Sequence, residues 1–222
     1  MITNKVFNFL EELSINNNRE WFQIHKSEYQ VALKEVEETA TEMITGLQKF
    51  DSRLVGLEAK KCIFRIYRDV RFSKDKVPYK DHFGVFISPG GKNSSVPGYY
   101  LHIQPGESFI GGGVWMPPAN ELFAIRQEIY YNYEQYLSIT ENSKFKDSFP
   151  TLDGTYKNIK APKGFESDFE GIDILKNKCY FFAHNLSKEW LLKPNSTNEM
   201  IELMNTIYPF NQFLQQAIEN IE

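Results

Sequence analysis

The chain has 222 residues, 41% hydrophobic and 24% charged, with 18 Phe and 12 Tyr. That balance excludes an intrinsically disordered chain and is enough to build a well-buried core. The net charge of −4 argues against a general nucleic-acid coat protein, and no apolar run approaches the ~20 residues that cross a bilayer.

The N-terminal stretch MITNKVFNFLEELS is amphipathic and acidic and lacks the apolar segment of a secretory signal. The expectation is a cytoplasmic protein with no membrane partner. Thr3 is suited to cap a first helix, with Val6, Phe7, Leu10 and Leu13 on one face. Asn16-Asn17-Asn18 ends it, and Asn18 caps a second helix. Apolar residues at helical spacing from Trp21 and Phe22 through His25, Tyr29, Leu33, Val36, Ala40 and Met43 to Leu47 predict one helix over 19–50, the longest of the chain. Gly46 marks a weak point in it.

Beyond Asp51 the texture changes. KKCIFRIYRDVRFSKDKVPYK (residues 60–80) holds eight Lys or Arg against two acids, a local charge of +6 in a chain that is −4 overall. Residues 61–72 mix β-branched, aromatic and Arg residues, which predicts a strand. Alternation then puts Ile63, Arg65, Tyr67, Asp69 and Arg71 on one face and Phe64, Ile66, Arg68, Val70 and Phe72 on the other. Ser73 to Lys80 reads as a loop. His82–Ser88, Gly98–Gln104 and Ser108–Trp115 read as strands. The last two are joined by a Pro105-Gly106 turn, and Tyr100, His102 and Gln104 share a face. Pro117-Pro118 launches a helix with Leu122, Ile125, Ile129 and Tyr133 in its stripe. Residues 141–170 are loop-rich, 178–185 form a late strand, Trp190 sits in a short helical turn, and a final helix after Ser196 contains Pro209. No linker divides the chain, so residues 1–222 are expected to form one α+β domain. It has a central, largely antiparallel sheet flanked by N-terminal, middle and C-terminal helices.

The blocks NNNREWF, FRIYRDVRFSKDKVPYK, GYYLHIQPGESFIGGGVW and APKGF resemble, in order, the signature blocks of a conserved hypothetical family, domain of unknown function 2461. The resemblance extends over most of the chain. It implies no activity, cofactor or catalytic residue. Val77 departs from the small hydroxylated residue usual there before Pro-Tyr-Lys.

Function is therefore read from the residues. Arg presents a planar fork of donors and Lys a mobile point charge, so Arg65, Arg68, Arg71, Lys74, Lys76 and Lys80, with Tyr79, form the expected binding set for a small anionic ligand, phosphorylated esters included. The competing structural reading pairs these arginines with Asp69 and Asp75. His102, flanked by Tyr100 and Gln104, is the best acid–base candidate, and Asp69 is a second. A nucleophilic role for Ser73 needs a base that sequence does not place. Aromatic residues interleaved with cations also fit nucleic acid, and a protein interface with a buried Arg network is the third reading. Gly111-Gly112-Gly113 lacks any phosphate-loop pattern and reads as a close backbone approach. The histidines lack metal spacing and no metal is expected, while the residues name no cofactor either way. A cross-strand set of His82, His102 and Glu107 is the alternative. Cys62 and Cys179 read as buried free thiols.

Overall fold

The computed structural model describes residues 1–71 and 74–220. Phe72, assigned above to an apolar strand face, and Ser73, weighed as a nucleophile, lie outside them. The fold is α+β: a four-stranded antiparallel sheet, order β1-β2-β3-β4, with N-terminal, middle and C-terminal helices packing on it. The strands are β1 (Phe83–Ile87), β2 (Gly98–Ile103), β3 (Phe109–Val114) and β4 (Tyr180–Asn185). The chain divides into two compact units. The first comprises Met1–Lys92, Tyr100–Ile110 and Asn185–Glu202; the second comprises 93–99, 111–184 and the remainder of the chain.

In the first unit, α1 (Asn4–Ile15) begins at Thr3, whose hydroxyl accepts from the Lys5 N–H. The Thr3 N–H and hydroxyl also donate to the Glu35 carboxylate at 2.9–3.0 Å, which ties the start of α1 to α3 (Lys26–Leu47). Val6, Phe7, Leu10 and Leu13 are buried, as their spacing predicts. Asn18 caps α2 (Arg19–Ile24) through the Trp21 N–H. The single helix expected over 19–50 is instead two. At His25 the backbone leaves helical geometry (φ −96°, ψ 19°), and both the His25 N–H and its Nδ1 converge on the Trp21 carbonyl, at 3.0 and 2.9 Å. A side chain drawn to the carbonyl that its own backbone uses favours a break there. α3 is then 22 residues, shorter than the 24-residue C-terminal helix. Gly46 is no weak point but a packing position: a Cβ there would lie 2.4 Å from Ile201 Cδ1.

The predicted strand over 61–72 is a second correction. Residues Ala59–Cys62 form the short helix α4, and among the described residues from 63 to 71 the pairing is limited to isolated antiparallel bridges, Ile63 with Val85 and Tyr67 with Tyr79. Ile63 is buried although alternation placed it on the polar face; Arg65, Tyr67, Asp69 and Arg71 are exposed as expected. Ile63 and Ile66 anchor the segment at a spacing of three, which no regular strand satisfies.

The second unit holds α5 (Ala119–Tyr131), α6 (Tyr133–Thr140), α7 (Ser143–Ser148), α8 (Ile172–Leu175), β4 except Asn185, and most of the C-terminal helix. The helix launched by Pro117-Pro118 ends at Asn132, so Tyr133 begins the next helix rather than completing the stripe. Its aromatic core centres on Phe210, which meets Phe145, Phe182 and Tyr136 at 5.0–6.4 Å. The short helix at Trp190, α9 (Lys188–Leu191), and α10 (Ser196–Glu219), with Pro209 inside it, complete the chain.

The glycine triplet is a close approach. Gly113 has φ +123°, and a Cβ there would lie 2.0 Å from the Tyr180 carbonyl oxygen of β4. Both the backbone region and the contact exclude a side chain. Gly113→Ala is expected to cost roughly 2–4 kcal/mol, read as a lowered urea midpoint with an unchanged m-value.

Candidate functional site

The basic segment is held from two sides. Asn17, from the NNNREWF block, pairs with Tyr79 as a strand neighbour would: its Nδ2–H donates to the Tyr79 carbonyl at 3.0 Å, and the Tyr79 N–H donates to Asn17 Oδ1 at 3.1 Å. The Tyr79 ring, 3% exposed, stacks on Phe22 with centroids 4.0 Å apart and planes 10° apart. Two backbone bonds, Arg68 N–H to Pro78 O (2.9 Å) and Lys80 N–H to Ile66 O (2.7 Å), close the base of the loop.

Within the loop, acids engage two of the three arginines. Arg71 grips Asp69 with both Nε (2.9 Å) and Nη2 (2.6 Å), and Arg68 donates to Asp75 at 2.6 Å. Asp69 is exposed and held at about 2, mainly by its hydrogen bonds from Arg71. A carboxylate that acidic is a poor proton acceptor near neutrality. Lys76 donates to the Val70 carbonyl at 2.9 Å. The other cations of the expected set behave differently. Arg65 and Lys74 are exposed and make no hydrogen bond or ion pair with a described residue. Lys80 is half-buried, with its ammonium 5.3 Å from the centre of the Phe64 ring and no carboxylate partner among the described residues. Burial, and then the nearby Arg65, pull its pKa down.

Directly after Lys80 the chain enters the sheet, and β2 supplies the face read from its alternation. Tyr100, His102 and Gln104 are half-buried there, with Phe109 of β3 stacked 4.8 Å from His102 and His82 4.3 Å away. Space for the Tyr100 hydroxyl comes from Gly84 of β1, where a Cβ would stand 2.7 Å from it. The hydrogen-bond network fixes the tautomers. Gln104 donates its Nε2–H to Asp81 Oδ2 (3.4 Å), so its Oε1 accepts from His102 Nε2–H (2.8 Å). His102 Nδ1 is then the acceptor for the Tyr100 hydroxyl at 3.0 Å. Both nitrogens of the best acid–base candidate are therefore occupied. His82 is different: its Nδ1–H donates to Asp81 Oδ1 at 3.2 Å, and its Nε2 has no partner among the described residues.

Burial lowers the pKa of both histidines. His102 and Lys80 lower that of His82 further, against an opposing pull from Asp81. Burial also pushes the Tyr100 hydroxyl up to about 12, so it remains a donor throughout the neutral range. Sequence reasoning passed over His82 and Asp81 as a pair; their adjacency in the chain was the available signal.

The cross-strand set of His82, His102 and Glu107 does not form a metal cluster. Among the described residues the group that brings three ligand atoms within 4.8 Å of one another is Glu12, His25 and Glu28, near the surface, where such groups are common without an ion. His184 is engaged with the Ser148 carbonyl at 2.6 Å. Cys62 and Cys179 are buried free thiols. Lys163 is exposed, and Phe165 of the APKGF block packs on Phe123 and Tyr130. Arg19 is likewise exposed, at the start of α2.

Fold and site together define an α+β protein with a histidine–tyrosine cluster on one face of an antiparallel sheet, beside a cation-rich loop. Residues 5–213 match the profile of the conserved hypothetical protein family DUF2461, and the chain belongs to that family. No curated protein and no solved structure matches it. Among the described residues no helix is long and apolar enough to cross a membrane.

Two outcomes follow from this geometry. Arg71→Glu breaks an exposed pair, with side chains 76% and 44% accessible, and is expected to leave the urea midpoint nearly unchanged, because solvent screens such a pair. The histidines have folded-state pKa values below the unfolded value of about 6.5. The unfolded chain therefore binds more protons just below neutrality, and stability present above pH 6.5 is lost as the pH falls through the folded values. Urea midpoints from pH 8 to 5 should show this loss, and His82→Asn should flatten it.

Proposed function

We propose that the protein binds a small anionic ligand beside the sheet face, with Lys80 and Arg65 as its principal cations and Lys74 as a peripheral one. The observation that carries this reading is the Lys80 ammonium, half-buried, next to Arg65 and without a carboxylate partner among the described residues. A partly desolvated cation beside a second cation is unfavourable unless an anion offsets it. Carboxylates are within reach elsewhere in the segment, since Arg68 and Arg71 each have one. Lys80 and Arg65 are left for a ligand.

The same ion pairs weigh against nucleic acid. With Arg68 and Arg71 committed to Asp75 and Asp69, fewer cations are left to neutralise successive phosphates. They also weigh against a buried arginine network as the organising element, because the Arg71–Asp69 pair is largely exposed.

Sulfate and pyrophosphate at millimolar concentration are expected to raise the melting temperature by several degrees. A ligand at a hundred times its Kd adds about 2.7 kcal/mol, and each kcal/mol is worth roughly 2–4 °C in a chain of this size. Lys80→Met, which keeps the stem over Phe64, and Arg65→Gln should each remove most of the shift while leaving the unliganded melting temperature within about 3 °C. Shifts that persist in both variants would overturn the assignment. Retention of single-stranded RNA at low salt, with a steep salt slope, would favour the nucleic-acid reading instead.

A further inference from the structure

We infer that His82 is the proton-accepting residue of this site, and that a dianion of the sulfate or phosphate-monoester class is taken up together with a proton that adds to His82 Nε2. The inference rests on the anion-binding reading above and deepens it.

The two imidazoles are neighbours, 4.3 Å apart, but they are not equivalent. His102 receives a hydrogen bond from the Tyr100 hydroxyl at Nδ1 and donates one to Gln104 at Nε2. A proton added to its Nδ1 would point at the hydroxyl that now donates to it, so that hydrogen bond would have to reverse. His82 has no such obstacle. Asp81 accepts from Nδ1–H and fixes the ring, leaving Nε2 as the acceptor. This is the arrangement in which a carboxylate sets the tautomer of an imidazole and stabilises its cation.

The charged groups around His82 are few. Asp81 on its own segment favours the cation; His102 from β2 and Lys80 oppose it, and Glu107 acts on His102 from the β2–β3 turn. Arg65 stands beside Lys80. Without a ligand, burial first, and then His102 and Lys80, hold the His82 pKa below its ordinary value, so the ring is neutral at pH 7.5. A dianion seated on Lys80 and Arg65 reverses the sign of the local field, and the imidazolium becomes the favoured form. Two cations with no ion-paired carboxylate among the described residues, plus one created on binding, suit two negative charges better than one. The proton comes from solvent, forms one N–H bond, and no other bond changes.

Sulfate is the discriminating probe because it is a dianion with no proton to exchange near neutrality, so any proton taken up must reside on the protein. Calorimetric titration at pH 7–7.5 in two buffers of different ionisation enthalpy should show net uptake approaching one proton per sulfate. The Kd should weaken by up to about tenfold per pH unit above the free His82 pKa. In His82→Asn, sulfate should still bind through Lys80 and Arg65, more weakly, with no proton uptake and little dependence on pH. Should that variant fail to fold, the His82 ring resonances of the wild-type protein decide the matter, since their titration midpoint must rise when sulfate is added. Sulfate binding with no proton uptake, uptake that survives in His82→Asn, or an unmoved His82 midpoint would overturn this inference and leave the anion site standing. Failure of the wild-type protein to bind sulfate or phenyl phosphate at all would overturn the anion site, and this inference with it.

Discussion

The basic segment is positioned by a single side chain that imitates a backbone. Asn17 gives and takes one hydrogen bond with Tyr79, at 3.0 and 3.1 Å, across 62 residues of sequence. An amide that offers a donor and an acceptor in one plane satisfies both main-chain groups of a residue that has no strand neighbour on that side. With Tyr79 fixed, its ring stacks on Phe22 and its peptide neighbours close the loop through Ile66 and Arg68. Lys80 then follows at a set position, with Asp81 and His82 leading into β1. The site is thus a consequence of how α2 and the basic segment are fastened together, and the two most recognisable blocks of the sequence are the two halves of that fastening.

Electrostatics within the segment separates it into two parts. In the loop, short-range pairs consume charge: Arg68 with Asp75, Arg71 with Asp69. Exposed pairs of this kind add little stability and less at high salt, but they offset the charge of those two arginines. Nearer the sheet, Arg65 and Lys80 lie close enough to perturb one another, and neither forms an ion pair with a carboxylate among the described residues, although Arg65 still acts on Asp69 from a distance. The +6 of the sequence is therefore not one patch. It is a loop in which Arg68 and Arg71 are ion-paired, adjoining Arg65 and Lys80, which form no ion pair among the described residues, with Lys80 close enough to act on His82.

Local signals in the sequence were legible wherever one residue's chemistry sufficed. Thr3 and Asn18 cap their helices through their own side chains, and the turn at Pro105-Gly106 closes with a Glu107 N–H to Gln104 O bond and φ +81° at glycine. Strict alternation in β2 placed Tyr100, His102 and Gln104 on one face. The misreadings share a cause. The break at His25 depends on an imidazole competing for the Trp21 carbonyl, and Gly46 on the arrival of Ile201 from 155 residues away. The strand expected over 61–72 fails because the partner edge reaches only Ile63 and Tyr67.

Residue types, spacing and turn chemistry by themselves determined the α+β class, the buried faces of the helices, the position of the sheet's four strands, though not the absence of a fifth over 61–72, and the accumulation of cations between residues 60 and 80. These are properties of a chain segment and its immediate neighbours, for which a period of two or of 3.6 carries the information. Which cations are neutralised, which imidazole has an open nitrogen and which tyrosine is sealed into the core were decided only by tertiary structure. Each depends on the distance between groups far apart in sequence, and a shift of an ångström or two makes or breaks a hydrogen bond. His102 and His82 are the same side chain, and only the positions of Tyr100, Gln104 and Asp81 around them give one a closed set of partners and the other a nitrogen with no partner among the described residues.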